Sequence, residues 1–122
     1  MKLNIGNDII ETERIKKLCE KYNEKFKNKV FTNKEIEYCE SKGINKYQSY
    51  AGRFAAKEAI FKAISSKLNN KYQINWKDIE IINNSSGKPH VNLNNVDFIE
   101  DIDISISHVK EYAMATAIVA IK

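Results

Sequence analysis

The segment from residue 46 to residue 67 constrains this 122-residue chain more than any other. Asn45, with Gln48 three residues on, is a helix-start signal, and Lys46 to Lys67 reads as one long helix. On a helical wheel begun at Arg53, apolar residues stand at nearly every angle: Phe54, Ala56, Ala59, Ile60, Phe61, Ala63 and Ile64. A helix apolar almost all round is a buried helix. Yet it also carries Arg53, Lys57, Glu58 and Lys62, and buried charges are costly unless paired or bound to something. Glu58 and Lys62, one turn and about 40° apart, share a face.

The elements before it are read from periodicity and caps. Leu3–Ile10 reads as a short strand that Gly6 weakens just before Asp8. From Glu13 to Lys25 the spacing predicts a helix, with Ile15, Leu18, Cys19, Tyr22 and Phe26 on one apolar stripe. Another face of it carries Arg14, Lys17, Lys21 and Lys25, either a solvated face or a surface for an anionic partner. Thr32-Asn33-Lys34-Glu35 fits a capping box that opens a short helix stopping near Gly43.

The second half is strand-rich. Asp78–Ile82 is a short apolar run, Asn83–Pro89 a turn, and Val91 and Leu93 alternate after it. Ile102, Ile104 and Ile106 alternate with Asp103, Ser105 and Ser107 in a half-buried strand ending at His108. Ala113–Ile121, small and β-branched, reads as a central strand that asks for cover on both faces. Early helices and late neighbouring strands predict an α+β fold, an antiparallel sheet packed against the long buried helix, in a single domain over residues 1–122.

Composition excludes several classes. Hydrophobic residues at 43% and charged residues at 30% rule out wholesale disorder. The longest nearly apolar stretch, Ala113–Ile121, falls far short of the ~20 residues a spanning helix needs. The N-terminus reaches Asp8 before any signal-peptide apolar region could form, so no such segment is expected. Two cysteines, Cys19 and Cys39, make no disulfide framework, so a reduced, cytoplasmic protein is expected. The net charge of +4 suggests an anionic partner without identifying one.

Three side chains could carry chemistry. Asp8, after a glycine at a strand end, is either a turn aspartate or a ligand. Glu58 either pairs with Lys62 or joins Asp8 in holding a hard cation; Mg²⁺ commonly takes one or two carboxylates and leaves its other positions to water and phosphate. His108 at its strand end is either structural or functional. No cysteine and histidine cluster at zinc spacing accompanies it, and Gly87-Lys88-Pro89 lacks the frame of a P-loop.

Five stretches resemble the holo-acyl-carrier-protein synthase family, the small 4′-phosphopantetheinyl transferases. They are Gly6-Asn7-Asp8-Ile9-Ile10-Glu11, Phe31-Thr32-Asn33-Lys34-Glu35, Arg53-Phe54-Ala55-Ala56-Lys57-Glu58-Ala59 continuing to Lys62-Ala63, Gly87-Lys88-Pro89, and Ser105-Ile106-Ser107-His108. They stand in the family's order and spacing and cover nearly the whole chain. The helix motif with its downstream Ser-Ile-Ser-His is the specific part. Asn7 and Val109 depart from the usual family residues, at positions the chemistry does not require.

The resemblance implies transfer of 4′-phosphopantetheine from coenzyme A to a serine of apo acyl carrier protein, releasing adenosine 3′,5′-bisphosphate, in fatty acid biosynthesis. It implies Mg²⁺ on Asp8 and Glu58, with Lys62 as the third catalytic residue. Arg53, Lys62, Lys88, Pro89, Ser107 and His108 are the implied coenzyme A contacts, and Arg14, Lys17 and Lys21 the implied docking residues for the carrier protein. It further implies a homotrimer with sites between subunits, which fits a short chain with few elements to cover its buried helix. Two rivals are weighed beside it: a small basic RNA-binding domain, which leaves the charges in the buried helix unexplained, and a metal-dependent nucleotide hydrolase.

Overall fold

A computed structural model describes residues 1–68 and 73–122. Strand β1 (Lys2–Glu11) leads into helices α1 (Thr12–Tyr22), α2 (Glu24–Val30) and α3 (Asn33–Glu40), then the long α4 (Lys46–Ile64). Strands β2 (Ile79–Asn83), β3 (Pro89–Leu93), β4 (Ile99–His108) and β5 (Tyr112–Ile121) complete it. The α+β class holds, with all strand pairs antiparallel, but the strands form two sheets: β1-β5-β4 and the hairpin β2-β3. The terminal strand β5 is central, as its small and β-branched residues predict.

The expected helix over Glu13–Lys25 is broken. Asn23 takes φ 51°, a region in which Asn is tolerated better than most residues, and its N–H caps α1 on the Cys19 carbonyl at 2.8 Å. The chain restarts as α2, which carries Phe26 against the core and buries Val30. The capping box of α3 forms as predicted, with Glu35 N–H donating to Thr32 Oγ1 and Thr32 N–H donating to Glu35 Oε1. Asn45, in contrast, makes no side-chain cap; a 3-10 turn at Gly43–Asn45 feeds α4 directly.

Helix α4 is buried as its sequence demands, lying against β1 and β5 with α1 and α3 alongside. Its cover therefore comes from its own chain, against the expectation that another copy must supply it. Ala113, Ala115 and Ala117 of β5 face the helix and are buried. The opposite sheet face is uncovered: Leu3, Ile5 and Ile9 of β1 and Met114 and Ile118 of β5 are exposed, Ile5 at 69% and Ile9 at 64%. Ile5 pairs with Ile118 and Ile9 with Met114, two apolar cross-strand pairs on this face with the polar pair of Asn7 and Thr116 between them.

Candidate active site

Gly6 lets β1 approach α4 so closely that a Cβ there would collide with the Ala59 carbonyl oxygen and lie 2.8 Å from Ala63 N. Two residues further along β1, Asp8 meets the helix. Lys62 Nζ donates to Asp8 Oδ1 at 3.1 Å and to the Asn7 carbonyl at 3.0 Å. Lys62 thus takes the strand carboxylate as its hydrogen-bond partner, not Glu58 one turn back on its own helix. Glu58, half-buried, is held above the usual carboxylate range by burial and next by the charge of Asp8, with Lys62 and Arg14 pulling the other way. Strand and helix therefore bring two carboxylates and an ammonium together, with Arg14 within electrostatic reach.

Beside this group lies an open cavity of about 620 Å³ lined by Glu58, Phe61, Leu68, Ile74 and Trp76, with Lys29 at its edge. Trp76 stacks on Phe54 at 5.2 Å and meets Phe61 edge-on at 5.3 Å, so its indole is a fixed wall.

Lys57, between Ala56 and Glu58, proves structural. Its Nζ donates to Glu35 Oε1 and to the Val30 carbonyl, each at 2.7 Å, and to the Trp76 carbonyl at 3.1 Å. All three ammonium protons are satisfied, which a fully buried lysine requires.

Arg53 is nearly buried. Its guanidinium lies 4.0 Å over the Tyr38 ring and donates from Nη2 to Asn83 Oδ1 at 2.9 Å, while its buried Nε has no protein partner. Around it Pro89, His108, Gln48, Ser49 and Gly87 line a groove of about 200 Å³. Gly87, at φ 85°, supports the groove wall: its carbonyl accepts from Asn83 Nδ2 at 3.1 Å, the amide whose oxygen holds Arg53. Lys88 leaves the groove and lies 3.5 Å from Asp103. Ser107 is on the outer side of the sheet, where it lines a small cavity with Ile9, Val109 and Met114 that His108 also reaches.

The implied site residues therefore form two clusters. Glu58 and Arg53, five residues apart on α4, stand about 140° apart around its axis, on different sides of the helix. Arg14, Lys17 and Lys21 share a third feature, a shallow cavity of about 370 Å³ that also takes in Glu11, Glu13, Leu18 and Tyr22. Sequence reasoning missed Tyr38 and Asn83, which hold Arg53, and saw Glu35 only as a cap. The Phe-Thr-Asn-Lys-Glu stretch was the available signal for Glu35; nothing in spacing marks the other two.

The sequence profile described as the 4′-phosphopantetheinyl transferase superfamily matches residues 4–117. The chain belongs to the holo-[acyl-carrier-protein] synthase family within that superfamily. It is 44% identical to a holo-[acyl-carrier-protein] synthase of Ruminiclostridium cellulolyticum, over 99% of this chain and 94% of that protein. Identity to that of Fusobacterium nucleatum is 45%, over 98% and 99%. Among solved structures, the Helicobacter pylori enzyme in complex with coenzyme A superposes with a TM-score of 0.84 at 31% identity, covering 95% of this chain and 99% of that one. The Bacillus anthracis enzyme in complex with CoA (3′,5′-ADP) gives 0.81 at 35% identity, covering 95% and 94%.

Proposed function

We propose that this protein transfers 4′-phosphopantetheine from coenzyme A to a serine hydroxyl of an apo acyl carrier protein, serving fatty acid biosynthesis in the cytoplasm, with residues 1–122 acting as one catalytic domain. The carrying observation is the meeting of Asp8, Glu58 and Lys62 where β1 crosses α4. In the reaction the serine oxygen bonds to the phosphorus that bears pantetheine. The bond from that phosphorus to the bridging oxygen breaks, adenosine 3′,5′-bisphosphate leaves with the electron pair, and the serine proton is released.

The carboxylate pair fits a hard divalent cation: burial and the charge of Asp8 both disfavour an ionised Glu58, a cost that a cation between the two would remove. Asp8 and Glu58, near enough for the charge of one to act on the other, are the protein ligands we assign to Mg²⁺. When bound, Mg²⁺ would neutralise charge on the pyrophosphate. Lys62, half-exposed and anchored on Asp8 and the Asn7 carbonyl, has a third proton to offer a departing phosphate oxygen. The polar groove around Arg53, with Pro89 and His108 in its lining, suits the adenylate end of coenzyme A; Lys88 and Ser107 lie outside that groove and are contacts that the family resemblance implies.

The uncovered apolar face of β1 and β5 supports assembly into a homotrimer. Ser107 and His108 border that face, while Asp8, Glu58 and Lys62 lie on another side of α4 from Arg53. The two clusters then serve one ligand when they come from neighbouring subunits. Arg14, Lys17 and Lys21, beside Leu18 and Tyr22 and with Glu11 and Glu13 lining the same cavity, form the surface for an acidic carrier protein.

Chromatography of a reaction containing coenzyme A, Mg²⁺ and apo carrier protein tests the reading. Adenosine 3′,5′-bisphosphate is expected only when the carrier is present and only up to its molar amount. Release without the carrier would instead show a nucleotide hydrolase.

A further inference from the structure

The approach of β1 to α4 has an unusual feature: backbone rests on backbone. Opposite Gly6 the helix presents the Ala59 carbonyl and the Ala63 amide, neither of which can swing aside as a side-chain end could. Ala59 and Ala63 are the residues that immediately follow Glu58 and Lys62, so the contact lies beside both functional helix positions. Two residues along the strand from Gly6 stands Asp8, and between them the Asn7 carbonyl accepts from Lys62 at 3.0 Å. Gly6 is paired with Ala117 of β5, whose side chain is itself fully buried, so the seam lies inside the core rather than at a free edge.

We propose that Gly6 is a positioning residue of the transferase: by seating the strand backbone directly on the helix, it sets the distance across which Asp8 meets Glu58 and Lys62. This rests on the transfer reading above. Any larger residue at position 6 must lift β1 from α4, and the lift acts on Asp8, whose short side chain has a single methylene with which to bridge the gap. A displacement of about 1 Å at a reacting centre costs on the order of a hundredfold in rate.

The test compares Gly6→Ala with the wild type and with Ile121→Val, a core truncation in the same sheet that leaves the seam alone. Folding is read by circular dichroism and thermal melting, and Mn²⁺ binding by electron paramagnetic resonance without substrate. Transfer is assayed with coenzyme A and apo carrier protein. A folded Gly6→Ala is expected to lose about 10- to 100-fold in Mn²⁺ affinity and in kcat, as changes behind metal ligands do. Its KM for carrier protein, set by the exposed α1 surface rather than by the metal ligands, stays within about twofold. Adding Asp8→Glu to Gly6→Ala lengthens the carboxylate arm and is expected to recover part of both losses. Loss of stability alone would match Ile121→Val and would not respond to Asp8→Glu.

A folded Gly6→Ala with wild-type Mn²⁺ affinity and kcat overturns the proposal, as does a loss that Asp8→Glu leaves untouched. If Gly6→Ala does not fold, Asp8→Glu in the wild-type background decides. An unchanged kcat there shows that reach does not matter and overturns the proposal; a drop of about tenfold or more supports it. A wild-type protein that binds Mn²⁺ but transfers nothing contradicts the transfer reading and leaves the metal measurement on Gly6 intact.

Discussion

Lys57 Nζ lies 2.7 Å from Glu35 Oε1, and neither side chain exposes any surface. Glu35 does three things at once. It closes the capping box of α3, accepts from the Ile81 amide of β2 at 2.8 Å through Oε2, and neutralises the one lysine wholly inside α4 among the described residues. The pair joins α3, α4 and the β2-β3 hairpin at one point. Burial lowers the Lys57 pKa, and Glu35 is the chief influence opposing that.

Removing one partner is therefore worse than removing both. Glu35→Ala leaves an uncompensated buried ammonium and is expected to cost about 3–5 kcal/mol of folding stability, read by urea denaturation. Glu35→Leu combined with Lys57→Met is expected to be milder than either single change, although the Ile81 amide loses its acceptor. Additive losses in the double variant would show that the pair is not coupled.

Tyr50, wholly buried, sends its hydroxyl to Glu40 Oε2 at 2.7 Å, where Lys27 also reaches at 3.2 Å. That hydroxyl is the main reason Glu40 is held below the usual carboxylate range, with Lys27 adding to it. A depressed pKa in the folded state stabilises the protein above the unfolded pKa, and the benefit fades as pH falls through the folded value. Tyr50→Phe is expected to lose about 1 kcal/mol at neutral pH, and its deficit should shrink in acid. Melting curves at several pH values between neutral and acid check this; a deficit constant with pH would contradict it.

Burial pushes the Cys39 thiol up to about 12 and the Cys19 thiol up to about 11. Both are protonated at neutral pH and lack the thiolate that alkylation needs. Iodoacetamide at pH 8 is expected to leave the native protein unmodified on the timescale that alkylates both cysteines in urea, read by intact mass. The raised values also favour folding below the unfolded thiol pKa, a contribution lost as pH climbs toward about 11 and about 12.

Arg14→Glu reverses one charge of the α1 surface, whose exposed neighbours Lys17 and Lys21 share the same cavity. Rim charges act chiefly on association, so carrier-protein KM is expected to rise about tenfold. The wild-type rate at low carrier concentration should fall with added salt, and that of the variant should fall less. Steady-state kinetics at two ionic strengths read both effects. Because Arg14 also acts on Glu58, a modest change in kcat accompanies them.

Much of this architecture is legible in local sequence. The capping box, the central terminal strand and the buried α4 follow from spacing and side-chain size. What escaped depends on contacts distant in the chain. Glu35 and Lys57 are separated by 22 positions, Arg53 and Asn83 by 30, and Asp8 and Lys62 by 54. The break at Asn23 turns on one backbone angle that periodicity does not carry. Leu3, Ile5 and Ile9 marked β1 as a strand, but only the close seat at Gly6 reveals that their side faces away from the helix.

The central claim is that Asp8 and Glu58 serve phosphopantetheine transfer, and the intact mass of the carrier protein tests it most directly. Apo carrier protein incubated with coenzyme A, Mg²⁺ and the wild-type protein is expected to gain the mass of one phosphopantetheine group. With folded Asp8→Ala or Glu58→Ala, each lacking one of the two carboxylates, the carrier mass should stay unchanged over the same time. A carrier left unmodified by the wild type, or modified at near wild-type rate by either variant, would contradict the account.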